Sequence, residues 1–190
     1  MNYSVITENY FSAKTSFSCI DSREMLYSKN NYEPTSSINP IVWEDSNGLI
    51  KDITHIIDNG DLCVSEEFAQ LIMSFDPYGI ETYPAKLILS DGTIEKRYIL
   101  ALNNIIDVMD REKSITEISP KRNKILVQAL YLSEEKLLTY PLEKRILFRV
   151  KGAEIATFYS EDIYDLINNN ERFNELRKII LNTSQEAPTF

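Results

Sequence analysis

Tyr83-Pro-Ala-Lys-Leu-Ile-Leu-Ser-Asp-Gly-Thr-Ile-Glu-Lys-Arg-Tyr-Ile-Leu-Ala-Leu102 decides the fold class. Two β-rich runs, 83–89 and 94–102, flank Ser90-Asp91-Gly92-Thr93. Asp-Gly supplies the positive φ that a tight hairpin turn demands, so the runs are expected as antiparallel neighbours. A second hairpin is expected where 145–150 and 154–159 border Lys151-Gly152-Ala153. There Ile146, Phe148 and Val150 alternate with Arg145 and Arg149, although Leu147 interrupts the polar face.

Upstream of the first hairpin, Leu62-Cys63-Val64 reads as a short buried strand and Ser65 as the N-cap of a helix. Glu66 and Glu67 suit the positive end of that helix, and Phe68, Leu71, Ile72 and Phe75 form one apolar stripe at helical spacing. Pro77 and Gly79 end it. Between the hairpins, residues 125–132 are apolar on both faces and are expected as a central, covered strand. After the second hairpin, Ser160 opens a helix with Ile163, Leu166 and Ile167 on one face, stopped by Asn168-Asn169-Asn170. Phe173, Leu176 and Ile180 predict a last helix over 171–182, and 183–190 reads as a frayed, flexible tail.

Residues 1–60 differ in texture. Ser, Asn and Tyr are abundant, and the turn signals Asn30-Asn31, Tyr32-Glu33-Pro34, Ile38-Asn39-Pro40 and Ser46-Asn47-Gly48 leave only short apolar runs. Val5-Ile6 and Ile41-Val42-Trp43 are the expected strand cores, with Trp43 a packing residue. The chain therefore reads as a small β-rich lobe at 1–60 packed on an α+β domain at 61–182. That domain is expected as a largely antiparallel sheet of about five strands, with helices at 65–76 and 160–182 on one face.

Composition excludes several chemistries. One histidine, His55, builds no multi-histidine metal centre, and two cysteines, Cys19 and Cys63, fall short of a cysteine-rich one. They read as reduced, packed thiols. The five glycines stand singly, so neither a phosphate-binding loop nor a dinucleotide fingerprint exists, and no Gly-x-Ser-x-Gly elbow occurs. No cofactor is expected. No apolar run approaches the ~20 residues of a spanning helix, and Met1 to Tyr10 show neither a basic nor an apolar export-signal region, which predicts a cytoplasmic address without membrane contact.

A formal net charge of −9 opposes nucleic-acid binding and favours encounter with a basic protein. Lys121-Arg122-Asn123-Lys124 and the group Lys144, Arg145, Arg149 and Lys151 read as surface ion-pairing residues. Asp107 and Asp110, three apart with Glu112 close by, are expected on one face of a helical turn. Three roles suit them: a partner-facing acidic patch, a divalent-cation or shared-proton pair, or turn and cap formation. Tyr78, Tyr83 and Tyr140 adjoin prolines in expected loops, where such rings act as lids on the core or as interface anchors.

An ordered series of segments carries a family resemblance. Asp61-Leu-Cys-Val-Ser65 enters a helix, Gly79-Ile-Glu-Thr-Tyr-Pro84 enters a strand, and Tyr98 to Asn103 runs into Ile106-Asp-Val-Met-Asp110 with Lys113-Ser114. The strand at 125–132, Leu147-Phe-Arg149 and Tyr159-Ser160 follow. From Asp61 to about Phe173 the chain resembles the eleventh class of bacterial polymorphic-toxin immunity proteins. That resemblance implies a non-enzymatic, stoichiometric inhibitor of a cognate toxin domain encoded by a neighbouring gene. It supplies no catalytic motif, and its recurring positions Asp107, Asp110, Ser114, Phe148 and Arg149 read as structural as readily as functional. The expected partner-binding residues are Asp107, Asp110, Glu112, Tyr83 and Tyr140. The competing expectations are a small carboxylate-dependent enzyme or metal binder around Asp107 and Asp110, and an effector chaperone or adaptor. Oligomeric state is left open.

Overall fold

The computed structural model describes residues 1–9, 17–21, 36–45, 53–58, 61–119 and 124–187. The turns expected at Asn30-Asn31, Tyr32-Glu33-Pro34 and Ser46-Asn47-Gly48, and Lys121-Arg122-Asn123 of the basic cluster, lie outside them. The early strands are β1 (Asn2–Thr7), β2 (Phe17–Cys19), β3 (Ile41–Asp45), β4 (Ile56–Ile57) and β5 (Cys63–Ser65), followed by α1 (Glu66–Met73). Then come β6 (Ile80–Ile88), β7 (Ile94–Leu102), β8 (Ile105–Ile106), β9 (Ile115–Ser119) and β10 (Lys124–Ala129). The chain finishes with α2 (Glu134–Leu138), α3 (Leu142–Arg145), β11 (Leu147–Val150), β12 (Ala153–Ser160), α4 (Glu161–Asn168), a 3-10 turn at Glu171–Phe173 and β13 (Arg177–Asn182).

These elements form two compact units, each assembled from separated stretches: Met1–Ile6, Asn104–Asn169 and Lys178–Phe190 in one, Thr7–Asn103 and Asn170–Arg177 in the other.

The second unit is built around the expected hairpin. β6 and β7 pair antiparallel from Ile80↔Leu102 to Ile88↔Ile94, with Gly92 at φ 85° in the turn. β5 pairs with β7 and β4 with β5, while β3 runs parallel to β6 and carries β2, giving the order β2-β3-β6-β7-β5-β4. Trp43, Leu87, Ile99 and Cys63 close one core cluster, as expected of Trp43 and the buried thiol. Burial pushes the Cys63 thiol up to about 12, so it stays protonated. The helix begins as its cap predicts, since Ser65 Oγ accepts the Phe68 N–H at 3.1 Å.

In the first unit the order is β13-β1-β12-β11-β8. The expected β11–β12 hairpin pairs Phe148 with Phe158, and β1 adds to its far side through Val5↔Phe158. Phe148 stacks on Phe158 at 5.5 Å and meets the Tyr3 ring edge-on at 5.3 Å, forming a core with Val5, Val108, Val150 and Leu181.

Four expectations are corrected. The described residues form two larger sheets and a separate ribbon instead of one sheet of about five strands; most of the pairings are antiparallel, with β3 parallel to β6 and β8 parallel to β11. The helix expected over 171–182 is a 3-10 turn followed by a strand: Ile179 and Ile180 are β-branched, and burial alternates, with Leu181 buried and Ile180 57% exposed. The strand expected to be central at 125–132 is β10, which among the described residues pairs only with β9, is bulged between Val127 and Ala129, and leaves Leu126 exposed, while Leu130 and Leu132 make single bridges to Ala187 and Met109. The end of the chain is packed rather than frayed as far as Ala187, whose N–H donates to the Leu130 carbonyl at 2.6 Å.

Candidate functional site

The acidic segment is extended, not helical. Between β8 and β9 it lies against residues 131–133, with the Asp110 N–H donating to the Tyr131 carbonyl and the Ser133 N–H to the Val108 carbonyl, each at 2.8 Å. Met109 bridges Leu132. Val108 and Met109 are both buried in the core cluster of this unit, which anchors the segment.

Each acid has a local partner. Asp107 Oδ2 lies 3.4 Å from Arg111 Nη2, and Asp110 Oδ2 lies 3.2 Å from Lys113 Nζ. Asp110 Oδ1 also accepts the N–H groups of Glu112 and Lys113 at 3.1 and 3.2 Å. Desolvation acts to raise the Asp110 pKa, but the Lys113 and Glu112 donors together outweigh it and hold the carboxyl below its ordinary value. Glu112 is exposed at the turn. Ser114 Oγ accepts the Tyr131 N–H at 2.9 Å, which closes the turn onto the neighbouring strand. Among the described residues, no group of three or more side chains is placed to hold a metal ion.

Tyr140 meets this segment. Its hydroxyl accepts the Asp107 N–H at 3.2 Å while its ring packs against the core cluster. Lys136 Nζ donates to the Met109 carbonyl at 2.8 Å, tying α2 to the same stretch. Thus Asp107, Asp110, Glu112 and Tyr140 come together. Tyr83 belongs to the other unit, on β6 opposite Ile99, with its hydroxyl bonded to Glu81.

Beside Tyr140 stand two residues the sequence reading missed. Leu138 at the end of α2 and Leu142 at the start of α3 are 60% and 64% exposed, and Glu135 and Glu143 are exposed near them. The signal was available in Leu138-Thr-Tyr-Pro-Leu142: a leucine on each side of a proline break leaves no continuous helical face to bury both. Apolar side chains flanked by acids can lose their water against a partner while the acids select its charge.

Two polar clusters in the other unit were also missed. The His55 Nδ1 lies 2.6 Å from Ser65 Oγ, the His55 N–H donates to Glu175, and its ring meets Phe173 edge-on. Ser65 Oγ also accepts the Phe68 N–H and so caps α1. Arg97 is 1% exposed, donating through Nη2 to the Thr54 carbonyl at 2.6 Å. Near it, burial and then the charge of Asp58 push the Glu8 carboxyl up to about 7. Of the resemblance positions, Phe148 is core, and Arg149 Nε approaches Thr157 Oγ1 at 3.5 Å.

No helix among the described residues is long and apolar enough to cross a membrane. Residues 29–179 match the family model described as an immunity protein family, Imm11. No curated protein matches the chain.

Proposed function

We propose that this chain, which belongs to the Imm11 immunity protein family, neutralises a cognate bacterial toxin domain by tight, stoichiometric binding in the cytoplasm, without catalysis of its own. The toxin is encoded by a neighbouring gene. The observation that carries the reading, beside the family match, is the corner where Asp107 and Tyr140 meet and Leu138 and Leu142 are exposed. Exposed leucines flanked in the chain by Glu135 and Glu143, with Tyr140 between them joined to Asp107 and with Asp110 and Glu112 following on the same segment, suit a basic, partly apolar toxin face. Each leucine that loses its water contributes about 2 kcal/mol. The net charge of −9 raises the encounter rate with such a face, and rim carboxylates fix its orientation. An interface of about 1,600 Å² in total is sufficient for tight binding.

Growth of cells expressing the neighbour-encoded toxin domain tests this reading. The chain restores growth, and Leu138→Glu with Leu142→Glu removes protection while circular dichroism stays native. Failure of the unaltered chain to protect overturns the reading.

A further inference from the structure

The β9–β10 ribbon has two unlike faces. Val127 packs against the core of its unit, whereas Ile115 and Leu126 are exposed. Leu126 stands opposite Glu117 in the register, and Ile115 lies two residues before Glu117 on the same strand, so all three side chains share the open face. Gln128 Nε2 donates to Glu117 Oε2 at 2.8 Å, a contact that leaves the carboxylate its charge. From Asp107 to Glu117 the two cations, Arg111 and Lys113, are matched by Asp107 and Asp110. Glu112 and Glu117 are both exposed, and neither is ion-paired with a described residue. Lys151 lines a small cavity with Thr116, which as the neighbour of Glu117 on the strand points to the opposite face.

The backbone of the ribbon is open as well. Among the described residues, β9 and β10 pair only with each other, leaving edge N–H and C=O groups for another strand. At the edge strand β13, by contrast, the Asn182 N–H is taken by Gln185 Oε1 at 2.9 Å. β9 begins directly after Ser114, whose Oγ closes the acidic turn onto Tyr131, so its edge continues the surface that carries Asp110 and Glu112. An open edge with apolar side chains and an unmatched carboxylate on one face suits a strand that brings apolar groups and a cation.

We propose that the toxin domain adds an extended segment to the free edge of β9, with a lysine or arginine opposite Glu117 and an apolar side chain opposite Ile115. Backbone hydrogen bonds along the edge hold the segment, and the alternate side chains on the open face select it. The proposal rests on the immunity reading for the partner's identity. It extends the acidic corner into a strand-pairing site, whose hydrogen bonds fix the direction and register of what the corner attracts. A second copy of this chain is the less favoured occupant, because each copy carries a net charge of −9 and self-association brings those charges together.

The test uses the full chain and two probes, a peptide repeating Val-Thr-Lys-Thr and its counterpart repeating Val-Thr-Glu-Thr, each of which sets Val and the charged residue on one face of a strand. Amide chemical shifts at millimolar peptide detect and locate the binding, and amide hydrogen exchange reads the strand pairing. The Lys peptide binds about threefold more tightly than the Glu peptide, the scale of one cross-strand charge pair. Its shifts centre on 112–118 and 126–128, and exchange slows at amides within 115–119. Glu117→Lys removes the preference, and Ile115→Thr weakens both peptides by about twofold, with native circular dichroism in each variant. Absent shifts, shifts centred elsewhere, unslowed exchange at 115–119, or a preference unchanged by Glu117→Lys overturns the proposal. Shifts at 115–117 that follow the concentration of the chain alone overturn it in favour of a second copy. No toxin takes part, so loss of protection in cells and failure of this assay are separate results.

Discussion

The Tyr140 hydroxyl accepts the backbone N–H of Asp107 at 3.2 Å, so an aromatic side chain from the corner between α2 and α3 fixes the start of the acidic segment. Both residues were expected at a binding surface for separate reasons, and the structure joins them through the backbone, not through their charge and ring. The contact leaves the Asp107 carboxylate facing Arg111.

Tyr140→Phe keeps the ring in the core and removes the acceptor, leaving the Asp107 N–H without its partner. A loss of about 1 kcal/mol in urea unfolding is expected, with a native circular dichroism spectrum. A variant as stable as the parent shows that the hydrogen bond contributes nothing and that the segment is held by Lys136 and the strand pairing alone.

Glu8 makes stability fall with rising pH. Burial, followed by the charge of Asp58, raises its carboxyl from 4.5 to about 7, so the folded chain holds this proton more firmly than the unfolded chain. Below about pH 4.5 both states are protonated and there is no penalty. The penalty grows between about 4.5 and 7 and then levels at about 3 kcal/mol. Glu8→Gln removes it. Its urea midpoint should match the parent near pH 4.5 and exceed it at pH 8, and parallel curves across this range contradict the assignment.

Ser65→Ala deletes both the cap of α1 and the partner of His55 Nδ1. It should cost about 1 kcal/mol of stability and leave protection against the toxin intact when the protein is in excess. If the variant folds and protection is abolished, the Ser65–His55 pair has a chemical role and the non-enzymatic reading fails.

Local signals in the sequence were sufficient where the partner lay nearby. Asp91-Gly92 located the β6–β7 hairpin, Lys151-Gly152 located β11–β12, and Ser65 located the start of α1. Long-range pairing was not legible: nothing in Val5-Ile6 indicates that β1 joins β12, or in Ile41-Val42-Trp43 that β3 lies parallel to β6. Phe173, Leu176 and Ile180 mimicked a helical stripe because a 3-10 turn and a strand together happen to reproduce its spacing. At the candidate site, the acids and Tyr140 were visible as residue types. Leu138 and Leu142 were missed, although the Pro141 break between them was a local signal that no continuous helical face could bury both. Arg97, between Lys96 and Tyr98, carries no signal of its own in the sequence, and the strand turns it inward.

Titration of the purified neighbour-encoded toxin domain with this chain, reading residual toxin activity against molar ratio, tests the stoichiometric claim most directly. Activity should fall linearly and vanish at one equivalent, with the end point displaced to large excess by Leu138→Glu combined with Asp107→Lys. Complete inactivation by a small fraction of an equivalent, or full activity at any ratio, would contradict inhibition by contact alone.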